Sequence, residues 1–352
     1  MIVTLSSGLT RISRIHVYGI ALIASAFVIG TAKGSWDYDG YIDYFQCSVE
    51  TGCFNEAWSQ VETSFVWFAK SFHFFFGEYG GPLLIFVYST IGVFLKLALL
   101  QRYSRHFGIA FLSYASFGIL VHEMTQIRVG LAIAFLWLFL VSYYVNGRRA
   151  RAFIYLSIAV FLHSSALLIL LHFPFIRLIE KRPRTMVVAL ISASFLGIFL
   201  ANNAALLSPL AGLIGGRFSV YFDAFGSELL ATQQFNVYAV YSLMVFGLSV
   251  RMSTRTRLEP FEYACQSMIF VGLLIYMITF WIPIIGLRAL ELFASVIPFT
   301  TATLVRKFHH QLTKPLIYII TIVLALNMLV RNGIRTDFVL EGQAQETFIL
   351  DR

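Results

Sequence analysis

What most constrains this chain is a succession of apolar runs, each roughly 17–22 residues long, the length an α-helix needs to cross about 30 Å of hydrocarbon. They lie near 15–32, 82–101, 107–122, 127–146, 185–201, 235–250, 261–282, 289–305 and 315–330. With 58% hydrophobic and only 12% charged residues, the composition is far from that of a soluble domain, where about 25% are charged. The sequence therefore reads as an all-α, polytopic integral membrane protein, with 1–352 forming a single membrane domain.

A further run, 152–178, lies between two basic clusters, Arg148-Arg149-Ala150-Arg151 and Lys181-Arg182-Pro183-Arg184. Both flanks belong in the cytoplasm, so this run enters and returns as a short hairpin, with its turn at 162–165. Each limb is too short to cross the bilayer alone, and His163 comes to lie inside the membrane, in a cavity shielded by other helices. Counting the hairpin as two, the pattern predicts about eleven transmembrane helices.

The formal net charge of +8 does not point to nucleic acid, because the basic residues punctuate apolar runs in the way a bilayer sorts charge. Of 26 Lys and Arg, 18 (Lys96 among them) fall in segments read as cytoplasmic, while 15 of the 18 acids fall outside. The Lys and Arg bias places the amino terminus in the cytoplasm and the carboxyl terminus on the outer side. Arg11 and Arg14 precede the 15–32 run without a small-residue cleavage site, so that run reads as a retained first span.

Two outer loops are long. The first, 33–81, is acidic and aromatic; Val61, Phe65, Phe68, Phe72, Phe75 and Phe76 recur at helical spacing, predicting a helix lying in the interface. The second, 202–234, contains Gly215-Gly216-Arg217. Cys47 and Cys53 in the first loop are placed for a disulfide in an oxidising compartment, with two unrelated thiols as the alternative. Cys265 reads as packing. No His and Cys pair stands at metal-ligand spacing.

The polar stretch His122-Glu123-Met124-Thr125-Gln126-Ile127-Arg128-Val129-Gly130-Leu131-Ala132 stands between two apolar helices, with Arg128 on the first turn of the second. An arginine entering lipid costs several kcal/mol unless it snorkels or finds a partner. Arg217 follows two glycines, and Arg288 opens a helix after Pro283 and Gly286. Guanidinium groups grip phosphate oxygens in bidentate fashion, and helix amino termini add partial positive charge. The expectation is that Arg128, Arg217 and Arg288 converge on one anionic substrate; the plainer alternatives are snorkelling and, for Arg288, a helix salt bridge to Glu291. His163 is either a satisfied core histidine or a proton acceptor. Asp37, Asp39 and Tyr41, in Trp36-Asp37-Tyr38-Asp39-Gly40-Tyr41, suit sugar hydroxyls and faces, or else an aromatic belt. Glu123 pairs with Arg128 or serves as a base.

These residues resemble the EpsG family, a branch of the Wzy-type polysaccharide polymerases. The resemblance rests on Asp37-Tyr38-Asp39-Gly40-Tyr41, Ile127-Arg128-Val129-Gly130-Leu131-Ala132, Phe161-Leu162-His163-Ser164-Ser165-Ala166-Leu167, Arg217 with Tyr221, and Arg288, spread in order over about 37–300. Val129 departs from it, since the family usually has glutamine after the arginine. The resemblance implies a bacterial inner-membrane glycosyltransferase that joins repeat units carried on undecaprenyl diphosphate at the periplasmic face, without metal, nucleotide sugar or other cofactor. It implies Arg128, His163, Arg217 and Arg288 as site positions, with Tyr221 and Asp39 beside them. Its implied partners are the lipid-linked oligosaccharide, membrane lipid and a chain-length regulator. An O-antigen ligase and a lipid-linked glycan flippase are the competing readings. If the polymerase reading holds, Arg217→Ala and Arg288→Ala each abolish polymer on a glycan gel while the protein still reaches the membrane by immunoblot.

Overall fold

The computed structural model describes residues 38–49, 62–123, 126–203 and 236–307, with helical positions at 16, 19, 21, 23, 315 and 317–323. All regular structure among the described residues is helical. The chain divides into two compact units, Met1–Leu167 with His309–Arg352, and Leu168–Phe308. Most of the 15–32 run, half of the 315–330 run and nearly all of the second outer loop lie outside the described residues.

The first unit contains α1 (Tyr38–Val49), α2 (Thr63–Phe76), α3 (Gly80–Tyr103), α4 (Phe107–Tyr114), α5 (Ile127–Leu140) and α6 (Arg149–Leu162). At its centre is α5, apolar all round beyond Arg128 on its first turn, and packed against α3 and α6; only a helix enclosed by others can be so. Between α4 and α5, the π-helical run Ala115–Glu123 widens the chain's path, a form common at functional positions. The helix expected within 61–76 is present as α2. It turns at Gly77, whose φ of +57° suits glycine, and folds back along α3, so that Phe65 and Phe68 meet the Tyr88 ring at 6.3 and 5.9 Å. Trp67, Phe74, Phe75 and Tyr79 remain exposed, an aromatic surface of the kind found at membrane interfaces.

At 162–165, where the turn of a short hairpin is expected, a helix ends. After 14 residues, or about 21 Å of helix, α6 stops at His163, whose backbone is extended (φ −156°, ψ 113°). A 3-10 stretch, Ser164–His172, follows.

The second unit contains α7 (Phe173–Lys181), α8 (Pro183–Asn202), α9 (Val237–Ser253), α10 (Pro260–Thr279), α11 (Pro283–Ala294) and α12 (Ile297–Lys307). The helix α10 packs against all five others. It opens with a capping box between Glu259 and Glu262, and Lys307 at the end of α12 donates to Glu262 at 2.6 Å. Val188, Ile191, Phe195 and Phe199 of α8 are exposed, as lipid-facing side chains are.

Four runs, Thr63–Tyr103, Ile127–Val145, Pro183–Asn202 and Pro260–Thr279, are long and apolar enough to cross a membrane, and the pair Ile285–Ala294 and Ile297–Lys307, bent by 50°, gives a fifth if it is one broken span. A polytopic membrane protein fits these helices. The expected eleven crossings exceed what the described helices carry, partly because runs such as 107–122 and 235–250 form shorter or broken helices.

One expectation from charge alone fails. Lys96 reads as a cytoplasmic charge in the sequence, but it lies inside the first unit, 1% exposed and ion-paired with a Glu123 that is 0% exposed. The Tyr114 hydroxyl donates to Glu123 Oε1 at 3.0 Å, and Ser89 Oγ donates to the Glu123 carbonyl at 2.9 Å. Glycines make room: a Cβ on Gly92 would stand 2.7 Å from Glu123 Oε2, and one on Gly130 would stand 2.6 Å from the His122 carbonyl. This pair ties α3 to the segment that leads into α5, and so helps set where Arg128 begins its helix. Removing one partner of a buried pair leaves an uncompensated charge and costs about 3–5 kcal/mol, whereas replacing both with apolar residues is often neutral. Lys96→Met should therefore lower the unfolding midpoint in detergent sharply, and Lys96→Met with Glu123→Met should recover most of the loss.

Candidate functional site

Where α2 begins, the chain supplies an acid rather than a capping hydroxyl. The Glu62 carbonyl accepts from the Phe65 N–H at 2.9 Å, but its carboxylate does not cap its own helix. It is shared instead between two residues far along the chain. Oε2 accepts from Arg128 Nη1 on the first turn of α5, and Oε1 lies 2.6 Å from His163 Nδ1 at the end of α6. Three helices of the first unit thus meet at one carboxylate.

The surroundings explain how Arg128 is tolerated there. Tyr41 and Tyr44 of α1 and Phe65 of α2 place their ring centroids 5.5, 5.6 and 5.7 Å from the guanidinium carbon. Ring faces attract the cation while excluding water from it. The cluster is enclosed but not sealed, since Glu62, Arg128 and His163 keep 11%, 17% and 23% of their side chains exposed. Two buried donors at this place, Arg128 Nε and the Tyr88 hydroxyl, have no hydrogen-bond partner among the described residues, and Tyr88 lies within electrostatic reach of both Arg128 and Glu62. Such orphaned donors are uncommon in folded proteins.

Burial alone would raise the Glu62 carboxyl; the His163 hydrogen bond and the Arg128 guanidinium outweigh it and hold the carboxyl below its ordinary value. The group is therefore ionised throughout the neutral range and acts only as an acceptor.

Of the residues singled out in the sequence, Arg128, His163 and Tyr41 come together here. Asp39 stands exposed in the first turn of α1. Glu123 is buried and pairs with Lys96, not with Arg128. Arg288 belongs to the second unit, exposed on α11, with Glu291 half-buried on the same helix. Asp37, Arg217 and Tyr221 lie outside the described residues. Cys47 is disulfide-bonded and Cys265 is free; Cys53 is outside the described residues.

Sequence reasoning missed Glu62, Tyr44, Phe65 as a ring over Arg128, and Tyr88. No local signal singled out Glu62, because Thr63 and Ser64, ordinary cap residues, follow it directly.

A lowered carboxyl pKa adds stability that is present above the ordinary value of 4.5 and is lost as pH falls through the lowered one. The excess thermal stability of the native protein over Glu62→Gln should thus be level above about pH 5 and fade only below the ordinary carboxylate value, as differential scanning at a series of pH values would read.

The model of the EpsG family matches residues 16–340. No curated protein and no solved structure matches the chain.

Proposed function

We propose that this chain, which belongs to the EpsG family and to the membrane proteins linked to exopolysaccharide biosynthesis, is a polysaccharide polymerase. It transfers a glycan from undecaprenyl diphosphate onto a second lipid-linked repeat unit at the periplasmic face of the inner membrane. The observation that carries this reading is the Arg128–Glu62–His163 cluster, a cation and an imidazole held side by side in an apolar helical unit. A glycosyl transfer from a lipid diphosphate needs two things of the protein: neutralisation of charge developing on the leaving diphosphate, and acceptance of the proton from the attacking hydroxyl.

Arg128 meets the first need. Its remaining donor capacity, including the buried Nε–H, is available to phosphate oxygens, and its aromatic surround keeps the local dielectric low, where such contacts are strongest. His163 meets the second. The acceptor oxygen forms a bond to the anomeric carbon with inversion as its proton moves to the imidazole, and the C–O bond to the diphosphate breaks, the electron pair leaving with the lipid carrier. Arg217 and Arg288 are further proposed phosphate-holding positions, with Tyr221, Asp37, Asp39, Tyr41 and Glu291 proposed on the glycan. A disulfide at Cys47 supports placing the first loop on the oxidising side of the membrane.

Complementation of a deletion strain tests the reading. The native gene restores long polymer. Arg128→Ala gives unpolymerised single-repeat glycan, and Arg128→Lys restores little, because an ammonium cannot reproduce the planar, bidentate grip. Polymer of native length from Arg128→Ala, with the protein present in membranes, would overturn the assignment.

A further inference from the structure

The same carboxylate also decides which nitrogen of His163 can take a proton. We infer that Glu62 is a positioning residue for His163, holding its imidazole as the Nδ1–H tautomer so that Nε2 faces the acceptor hydroxyl. This inference rests on the polymerase reading for its chemistry, but its geometry stands on its own observations.

An ionised carboxylate can only accept, so the 2.6 Å contact between Glu62 Oε1 and His163 Nδ1 requires the hydrogen to sit on Nδ1. A neutral imidazole then presents its lone pair at Nε2. No hydrogen bond occupies Nε2 among the described residues, and the side chain keeps 23% of its surface exposed. The backbone that carries the ring is fixed as well. The His163 N–H donates to the Ala159 carbonyl at 2.9 Å, and its own carbonyl accepts from Ala166 N–H at 3.0 Å. With the main chain fixed, turning Nδ1 outward would break the contact to the carboxylate.

Glu62 itself is a poor candidate for the base. Both its oxygens are engaged, one by Arg128 and one by His163, and protonating it would weaken both contacts. Its charge is better placed to stabilise the imidazolium that forms when Nε2 takes the hydroxyl proton, the role of the buried acid in a Ser-His-Asp triad. The proton then passes from Nε2 to the departing diphosphate or to water, which restores the neutral ring. Because Oε2 also fixes Arg128, one side chain sets the relative placement of the phosphate-holding group and the proton acceptor.

The test uses the full-length protein in nanodiscs, with lipid-linked oligosaccharide extracted from a polymerase-deletion strain as donor and acceptor. His163→Ala should lower kcat by about 10²–10⁴-fold, the usual contribution of a general base. Glu62→Gln, which keeps the shape and an acceptor oxygen, should lower kcat at least about tenfold while KM changes little. In the His163→Ala background, Glu62→Gln should cost far less than it does alone, leaving only the part that acts through Arg128. Native kcat in Glu62→Gln beside an impaired His163→Ala, or losses that multiply in the double variant, would overturn the inference and leave the polymerase reading standing. Native kcat in His163→Ala would instead remove the proposed base and the inference together. A second measurement requires no turnover: ¹⁵N spectra of histidine-labelled protein, with the His163 signals identified by their loss in His163→Ala. The expected result is Nδ1–H in the native protein and a mixture of tautomers in Glu62→Gln; an Nε2–H tautomer in the native protein would overturn the inference.

Discussion

The sharing of the Glu62 carboxylate between Arg128 and His163 is the interaction on which the candidate site depends. Arg128 enters a helix that is otherwise apolar, where an unpaired guanidinium would be strongly disfavoured. Glu62 neutralises it from the start of α2, and the rings of Tyr41, Tyr44 and Phe65 cover the remaining faces. The arrangement keeps a cation in low-dielectric surroundings without sealing it away, which distinguishes it from Lys96 and Glu123. That pair is fully enclosed and hydrogen-bonded by Tyr114, and its consequence is to fix the approach to α5. One ion pair orders the bundle, and the other leaves donors that a polar ligand can use.

Elements defined by long apolar runs were legible in the sequence. The runs at 82–101, 185–201 and 261–282 became α3, α8 and α10 to within a few residues, and 127–146 became α5 with the π-helical turn Val141–Val145 that continues it, because burying such a run in a helix satisfies its backbone without any partner. The helix end at His163 falls where the two basic flanks require a turn. The helix at 61–76 was legible from its aromatic spacing. Each of these depends on local pattern.

What was not legible depends on partners distant in the chain. Glu62 lies 66 residues from Arg128 and 101 from His163, and no periodicity encodes such a meeting. In the sequence Glu62 was one more acid in an acidic loop, while Glu123, five positions before Arg128, looked the nearer partner. Lys96 misled for a related reason: a lysine toward the end of an apolar run resembles a topological marker, and only its approach to Glu123, made possible by glycine at 92 and 130, shows it to be interior. Arg217 is legible as an arginine beside glycine, whereas Arg288, expected to open a helix, stands midway along α11; the case for both rests on the family.

In chemical terms, the first unit brings together a cation suited to a diphosphate and an imidazole suited to a hydroxyl proton, linked through one acid. The most direct measurement is a cryo-electron microscopy structure of the protein in nanodiscs with undecaprenyl diphosphate bound. The account predicts diphosphate density against Arg128, with His163 Nε2 directed toward the space where the anomeric carbon would lie. Diphosphate bound elsewhere, with the Glu62, Arg128 and His163 side chains sealed from it, would contradict it.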